Sequence, residues 1–163
     1  MENKELYQEK QSFSTWWLFA IIALILGYGI YELHDYYLVN ATLILPTGIW
    51  LGLTLLLFFA FVKLKTEIDK TGIHIRFFPF LFGKKSFRWD EIGEVYVRKY
   101  SLAEYGGWGW RIGPSGVAYN TAGYTGIQLI LKNGRRVLIG THKPIEVQTV
   151  LEKLNKLKTH EED

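Results

Sequence analysis

Two long apolar runs near the N-terminus constrain this chain more than any other feature of its sequence. The first covers residues 16–31 and the second covers about residues 41–62, and neither contains a charged side chain. An α-helix needs about 20 apolar residues, with a range of about 17 to 25, to cross the hydrocarbon core of a bilayer. The second run has that length by itself, and the first reaches it when its flank through Leu33 is included. The sequence therefore predicts a membrane hairpin over residues 16–62, with helices at about residues 15–33 and 41–62.

The first run also has the position of a secretory signal peptide. A signal peptide begins with a positively charged segment and ends at a small-x-small cleavage site. Here the preceding segment has Lys4 and Lys10 against three glutamates, and the run continues into Glu32 and Leu33 without such a site. The sequence favours a retained anchor, with residues 1–15 as an N-terminal cytoplasmic segment.

The lysines around the two runs indicate the orientation of the hairpin. Three lysines follow the second run within eight residues, two precede the first, and the connector of residues 32–40 has no Lys or Arg. Cytoplasmic flanks of membrane helices are enriched in Lys and Arg, whereas acidic residues contribute little. We therefore expect a multi-pass protein of the plasma membrane with both termini in the cytoplasm.

The chain beyond residue 62 has the pattern of a β domain. The segment Asp69 to Gly72 reads as a turn, and Ile73 to Phe77 alternates apolar with polar residues, which is typical of a strand with one buried face. Asn133-Gly134 separates two β-rich runs and is typical of a two-residue hairpin turn in which both positions have positive φ. The pairs expected around that turn are Lys132 with Arg135, Ile130 with Val137, and Leu129 with Leu138.

An amphipathic helix ends the predicted domain. Pro144 suits the first turn of a helix, where its missing N–H is not needed, and five apolar residues follow at helical spacing. These are Val147, Val150, Leu151, Leu154 and Leu157. They predict a helix over residues 144–158 that packs on the sheet, followed by a tail of residues 159–163. The expected fold of residues 63–158 is α+β and mostly β: an antiparallel barrel or sandwich of about seven strands, capped by the C-terminal helix.

Three stretches of this region resemble the bacterial membrane-anchored pleckstrin-homology-like proteins, which carry two transmembrane helices before a β domain. They are Ile68-Asp69-x-x-Gly72-Ile73, Phe87-x-Trp89-Asp90-Glu91-Ile92, and the run from Leu131 to Thr141 that leads into the helix. The resemblance covers residues 63–158. It implies a pleckstrin-homology-like (PH-like) fold in which Trp89 packs into the domain, and an interaction module to which no catalytic residue carries over.

The sequence does not indicate a metal, cofactor or catalytic site. Cysteine is absent, so the chain has no thiol nucleophile and no thiolate metal ligand. The four histidines lack a ligand spacing such as H-x-x-x-H, and Asp90, Glu91 and Glu94 read as a solvated turn. The Gly-rich segment of residues 105–116 lacks the glycine spacing of dinucleotide and P-loop sites, and Pro114 opposes a helix there. We expect no enzyme activity, no cofactor and no bound metal.

Two surfaces are candidates for contact with a partner or with the membrane. The first consists of Trp108, Trp110 and Arg111 in the Gly-rich segment. The second consists of Phe80, Phe82, Lys84 and Lys85. In the second, aromatic rings would enter the membrane interface while each lysine near anionic headgroups contributes about 1 kcal/mol. The alternative for the second surface is that its residues fill the core of the domain.

The charge of the chain is compatible with more than one partner. From Lys63 onward there are 17 Lys and Arg against 11 Asp and Glu, an excess of six positive charges. Basic patches with aromatic side chains also bind single-stranded nucleic acid, but topology already explains lysines on a cytoplasmic face, so we expect no nucleic acid. The sequence predicts an integral membrane protein whose β domain binds or scaffolds a protein or lipid partner. The alternative is an accessory or regulatory subunit of a transporter or membrane enzyme.

Overall fold

The structure is a computed structural model that describes residues 6–13, 16–39 and 46–157. The helices are α1 (Trp16–Val39), α2 (Thr47–Phe61), α3 (Leu102–Tyr105) and α4 (Pro144–Lys153). The strands are β1 (Tyr7–Ser12), β2 (Lys63–Ile68), β3 (Gly72–Phe78), β4 (Lys85–Arg88), β5 (Ile92–Lys99), β6 (Gly109–Gly113), β7 (Gly116–Asn120), β8 (Thr125–Leu131) and β9 (Arg136–Gly140). The chain divides into a helical unit, residues 13–61, and a β domain formed by the residues on both sides of it.

The two helices of the helical unit differ in length from the sequence prediction. Helix α1 has 24 residues, about 36 Å at 1.5 Å per residue, and α2 has 15, about 22 Å. Within the described residues, one helical segment, Trp16–His34 of α1, is long and apolar enough to cross a membrane. The prediction that the second run alone has spanning length is not shown, because α2 begins after Pro46 and residues 40–45 lie outside the described residues.

Small residues hold α1 and α2 against each other as an antiparallel pair. A Cβ atom added at Gly48 would lie 3.0 Å from the Cα atom of Gly29, and one added at Gly52 would collide with the side chain of Leu26. Gly27, by contrast, has open space around its Cα atom. Because only glycine lets two backbones approach this closely, Gly29 and Gly48 set the separation of the helices.

The β domain contains two sheets. The first sheet has the order β1-β2-β3-β4 and is antiparallel throughout, and the second has the order β5-β8-β9-β7-β6. Strands β7 and β9 pair in parallel. The expectation of a mostly β domain with a C-terminal helix is confirmed. The closed barrel is wrong, and so is the purely antiparallel arrangement: the described residues form two separate sheets with nine strands, rather than about seven.

In the sequence, strand β1 precedes the helical unit, whereas the rest of the β domain follows it. It pairs with β2 so that Tyr7 faces Ile68 and Ser12 faces Lys63. The sequence predicted residues 1–15 as a segment outside the β domain, whereas Tyr7–Ser12 is the edge strand of the first sheet. The helical unit is therefore an insertion between two neighbouring strands.

The two predicted turns have different outcomes. The Asp69–Gly72 turn is confirmed, with a hydrogen bond from the Asp69 N–H to the Gly72 carbonyl of 3.1 Å. The register predicted around Asn133-Gly134 is wrong by one residue, since Ile130 pairs with Arg136 and Leu129 pairs with Val137. In this hairpin Gly134 has a φ of 81° while Asn133 has no positive φ. The loop is therefore of the three-residue kind, which ends in a left-handed glycine.

The core lies between the facing sides of the two sheets. The ring of Phe77 in the first sheet meets that of Tyr119 in the second, with centroids 6.5 Å apart. Helix α4 covers this core with the fully buried Val147 and Leu151. The predicted C-terminal helix is confirmed, but Val150 and Leu154 of the predicted stripe are only half-buried, and the helix ends at Lys153 rather than near residue 158. Trp89 is half-buried, and its indole N–H donates to the Asp69 carbonyl at 3.0 Å.

Candidate functional site

The outer face of the first sheet carries a cluster of cations. Along β2 and β3 the side chains that point away from the core include Lys63, Lys65, Arg76 and Phe78, because successive side chains alternate between the two faces of a strand. The register places Lys10 opposite Lys65, and Lys65 opposite Arg76. These three residues form one row across three strands, which we call the cationic row.

A second row lies next to the point where the chain enters and leaves the helical unit. It consists of Ser12, Lys63 and Phe78, which are cross-strand neighbours. The two rows border a shallow groove of about 410 Å³. We call the outer side chains of both rows, together with Lys84 at the sheet margin, the basic face.

One carboxylate belongs to this face among the described residues. Glu67 forms ion pairs with Lys65 and, at 2.8 Å, with Lys84. Burial of the Glu67 carboxylate opposes its ionisation, but hydrogen bonds and charge from the two lysines outweigh burial and lower its pKa to about 2. No ion pair or hydrogen bond within the described residues neutralises Lys10, Lys63 or Arg76. The basic face therefore has five cations against one carboxylate.

The predicted aromatic and lysine surface divides between core and solvent. Phe80 packs against Phe77 with ring centroids 4.9 Å apart, and the Lys85 ammonium donates to the Tyr119 hydroxyl at 2.7 Å, so both point toward the core. Phe82 is 91% exposed, and Lys84 belongs to the basic face. Phe82 and Lys84 therefore remain available at the surface.

The predicted tryptophan surface lies on the second sheet, at its edge strand β6. The Trp108 indole N–H donates to the Gly123 carbonyl at 3.3 Å, and the Arg111 side chain donates to the Trp108 carbonyl at 3.0 Å. Trp110 is 41% exposed and shares a face of β6 with Ile112, which is 75% exposed. This segment is an apolar sheet edge, and the Gly-rich residues that precede it form the connection into β6.

A buried polar network surrounds the β2–β3 turn. The Asp69 carboxylate accepts hydrogen bonds from Thr71 and Gly72, and its second oxygen lies 3.1 Å from Nε2 of His74. The other ring nitrogen of His74 lies 2.8 Å from the Ser86 hydroxyl. Burial opposes ionisation of Asp69, but these hydrogen bonds outweigh it and lower its pKa to about 2. The order Ser-His-Asp resembles that of an acyl-transfer triad, yet here the carboxylate caps a turn and the histidine braces two neighbouring strands.

A second buried network fixes β1 to the rest of the domain. Glu9 is 5% exposed, and its carboxylate accepts hydrogen bonds from the hydroxyls of Tyr7 and Thr141, both at 2.7 Å, and from the His142 N–H at 2.8 Å. The amide of Gln11 donates to the Gly140 carbonyl at 2.7 Å. Burial raises the pKa of the Tyr7 hydroxyl above its ordinary value.

Within the described residues, no group of three or more histidine or acidic side chains is placed to hold a metal ion. No family model, curated protein or solved structure matches the chain. Sequence reasoning missed the cationic row because it assigned Lys10 to a separate segment, and only the pairing of β1 with β2 brings Lys10 beside Lys65.

Proposed function

We propose that this chain is an integral membrane protein with two spans, whose β domain binds or scaffolds a partner at the cytoplasmic face of the plasma membrane. The observation that carries the proposal is the pairing of Ser12 with Lys63. The chain leaves the sheet at Ser12 and returns beside it at Lys63. A segment whose two ends lie side by side in one sheet crosses a bilayer an even number of times, or not at all.

The apolar surface of the helices favours two crossings over none. Leu24, Ile30 and Tyr31 on α1 are all more than 60% exposed, and Trp50 and Phe61 on α2 are both 58% or more exposed. Soluble monomers rarely expose such contiguous apolar surface, whereas lipid tails accommodate it. If α1 crosses the membrane, the chain must return, and the apolar residues 41–46 together with α2 supply the length for that return.

The orientation follows from the same pairing. Lys10 and Lys65 are cross-strand partners, so the lysines before the first helix and those after the second lie on one side of the membrane. Flanks rich in Lys and Arg are cytoplasmic. Residues 35–40, which follow the apolar span of α1 and contain neither residue type, are then extracytoplasmic.

The role of a binding module is supported by the basic face and by the resemblance to the PH-like proteins. Two mostly antiparallel sheets followed by a C-terminal helix are compatible with that resemblance. The nine strands, the parallel pair and the strand that precedes the helices depart from the expected pattern. The second candidate is an accessory subunit of a transporter or membrane enzyme, which the exposed Trp110 and Ile112 at the β6 edge favour as a protein-contact surface.

Single-cysteine labelling tests the topology, because the native chain has no cysteine. With a membrane-impermeant thiol reagent on intact cells, we expect Asp35→Cys to react at once and Lys153→Cys to react only after permeabilisation. Reaction of Asp35→Cys only after permeabilisation contradicts the proposal. Stable copurification of the full chain with a larger membrane complex would favour the accessory subunit instead.

A further inference from the structure

We infer that the basic face binds the headgroups of anionic phospholipids in the leaflet that the β domain faces. The inference rests on the proposed function, because it needs the domain to be held at a bilayer, and it names the class of ligand. It depends on three observations: the like charges of the cationic row, their distance along the chain from the helices, and the apolar rings beside them.

Without a bound ligand, the cationic row destabilises the first sheet. Like charges directly opposite each other on neighbouring strands destabilise a sheet, and here Lys65 has a cation on each side, Lys10 on β1 and Arg76 on β3. Glu67 offsets part of this repulsion through its ion pair with Lys65. A phosphate group over the row would offset the rest, since lysine binds phosphate as a point charge and arginine binds it with two parallel hydrogen bonds.

The position of the row along the chain favours a lipid over a soluble phosphate. Lys10 precedes Ser12 by two residues and Lys65 follows Lys63 by two, which is about 7 Å of strand. Lys63 itself comes two residues after Phe61, where α2 ends. The headgroup layer of a bilayer occupies roughly 5–7 Å beyond the hydrocarbon core on each side. The chain therefore keeps the row within reach of the headgroup layer.

Aromatic side chains lie beside the cations. Phe78 is in the same cross-strand row as Lys63 and is 46% exposed, and the exposed ring of Phe82 meets it edge-on with centroids 6.2 Å apart. Amphipathic and aromatic surfaces next to lysines are the usual combination at an interface with anionic lipid. The groove between the cations has space for a headgroup, since its volume of about 410 Å³ exceeds the roughly 300 Å³ of a small ligand pocket.

The test uses the full chain in neutral detergent, titrated with phosphatidylglycerol and with phosphatidylcholine, and counts bound lipids by native mass spectrometry. The row variant is Lys10→Gln with Arg76→Gln, which leaves the ion pair between Lys65 and Glu67 intact. The matched control removes the same charge elsewhere in the domain through Lys99→Gln and Lys132→Gln, both at exposed positions. Each cation near an anionic surface contributes about fivefold in affinity. We expect the row variant to lose at least tenfold in phosphatidylglycerol affinity, and the control to stay within about threefold of the native chain.

A second measurement separates lost binding from lost folding. Because the row is repulsive, the row variant should unfold in detergent at a temperature no lower than that of the native chain. Equal loss of lipid affinity in the row variant and the control overturns the inference, as does a row variant that is less stable than the native chain. Glycerol 3-phosphate should not compete at concentrations equal to that of the lipid, and effective competition overturns the assignment to a membrane lipid. If these results fail while the Asp35→Cys labelling is as expected, the inference is wrong and the proposed function stands.

Discussion

Replacing Glu9 with glutamine tests whether β1 is built into the β domain. The native carboxylate uses both oxygens to accept three hydrogen bonds, from Tyr7, Thr141 and His142. Glutamine keeps one acceptor oxygen and places an NH₂ group against the remaining donors. A hydrogen bond to a charged group contributes about 1.5–3 kcal/mol, and a buried donor left without a partner costs about 1–3 kcal/mol. Removal of a buried charge offsets part of that loss. We expect Glu9→Gln to lower the free energy of unfolding by about 2 kcal/mol.

The matched control for this prediction is Ser12→Ala, at an exposed position of the same strand. Surface substitutions of this kind usually change stability by less than about 0.5 kcal/mol. The free energies are measured on the full chain in micelles by pulse proteolysis across a urea series, with cleavage sites in the β domain as the readout. If Glu9→Gln and Ser12→Ala both leave stability within about 0.5 kcal/mol of the native chain, the network around Glu9 does not hold β1 in place.

Two further predictions concern the helix pair and the β2–β3 turn. Gly48→Val should push the helices apart, because a Cβ atom there lies 3.0 Å from the facing backbone whereas one at Gly27 has open space. In thermal inactivation of the full chain in micelles, we expect a clear loss for Gly48→Val and little change for Gly27→Ala; equal effects would refute the close helix contact. Asp69 has a folded pKa of about 2, below the value of about 3.9 for an unfolded chain. Its contribution to stability is therefore complete above about pH 4 and is lost as the pH falls toward 2. As the pH falls from 5 to 2, the unfolding midpoint of the native chain should decrease more steeply than that of Asp69→Asn. Parallel decreases would contradict the lowered pKa of Asp69.

Local patterns in the sequence predicted the elements whose conformation depends on neighbouring residues alone. The Asp69–Gly72 turn forms because the Asp69 side chain bonds the N–H groups of the next residues, which is a property of those four residues alone. The apolar stripe of α4 likewise follows from spacing within one helix. The Asn133-Gly134 hairpin was located correctly, but its register depends on whether one or two residues adopt positive φ, and the dipeptide alone does not decide this.

Strand β1 escaped prediction because its buried face is polar. Glu9 and Gln11 point inward, where Thr141 and Gly140 satisfy them, so the segment lacks the apolar alternation by which a strand is recognised. Thr141 lies 132 residues from Glu9 and Gly140 lies 129 residues from Gln11, and the paired strand β2 comes after the helical unit. The parallel pairing of β7 with β9 is similarly non-local, because β8 lies between them in sequence.

The candidate site depends on the same missing strand. Lysines that flank the apolar runs are visible in the sequence, and they predicted the orientation. That Lys10, Lys65 and Arg76 form a row requires the register of three strands. The sequence also does not show that Lys85 points toward the core. Tyr119, which accepts the hydrogen bond of Lys85, is 34 residues further along the chain.

A cross-link in native membranes can show whether the helical unit leaves and re-enters one sheet at neighbouring positions. The double variant Ser12→Cys with Lys63→Cys joins cross-strand partners, whose Cα atoms lie about 4.5–5.5 Å apart in an antiparallel pair, within reach of a disulfide or a short bis-thiol reagent. Proteolysis between the two sites then reports whether the fragments stay joined. We predict efficient joining for this pair and none for Ser12→Cys with Lys99→Cys. Fragments that separate in both variants would contradict the account.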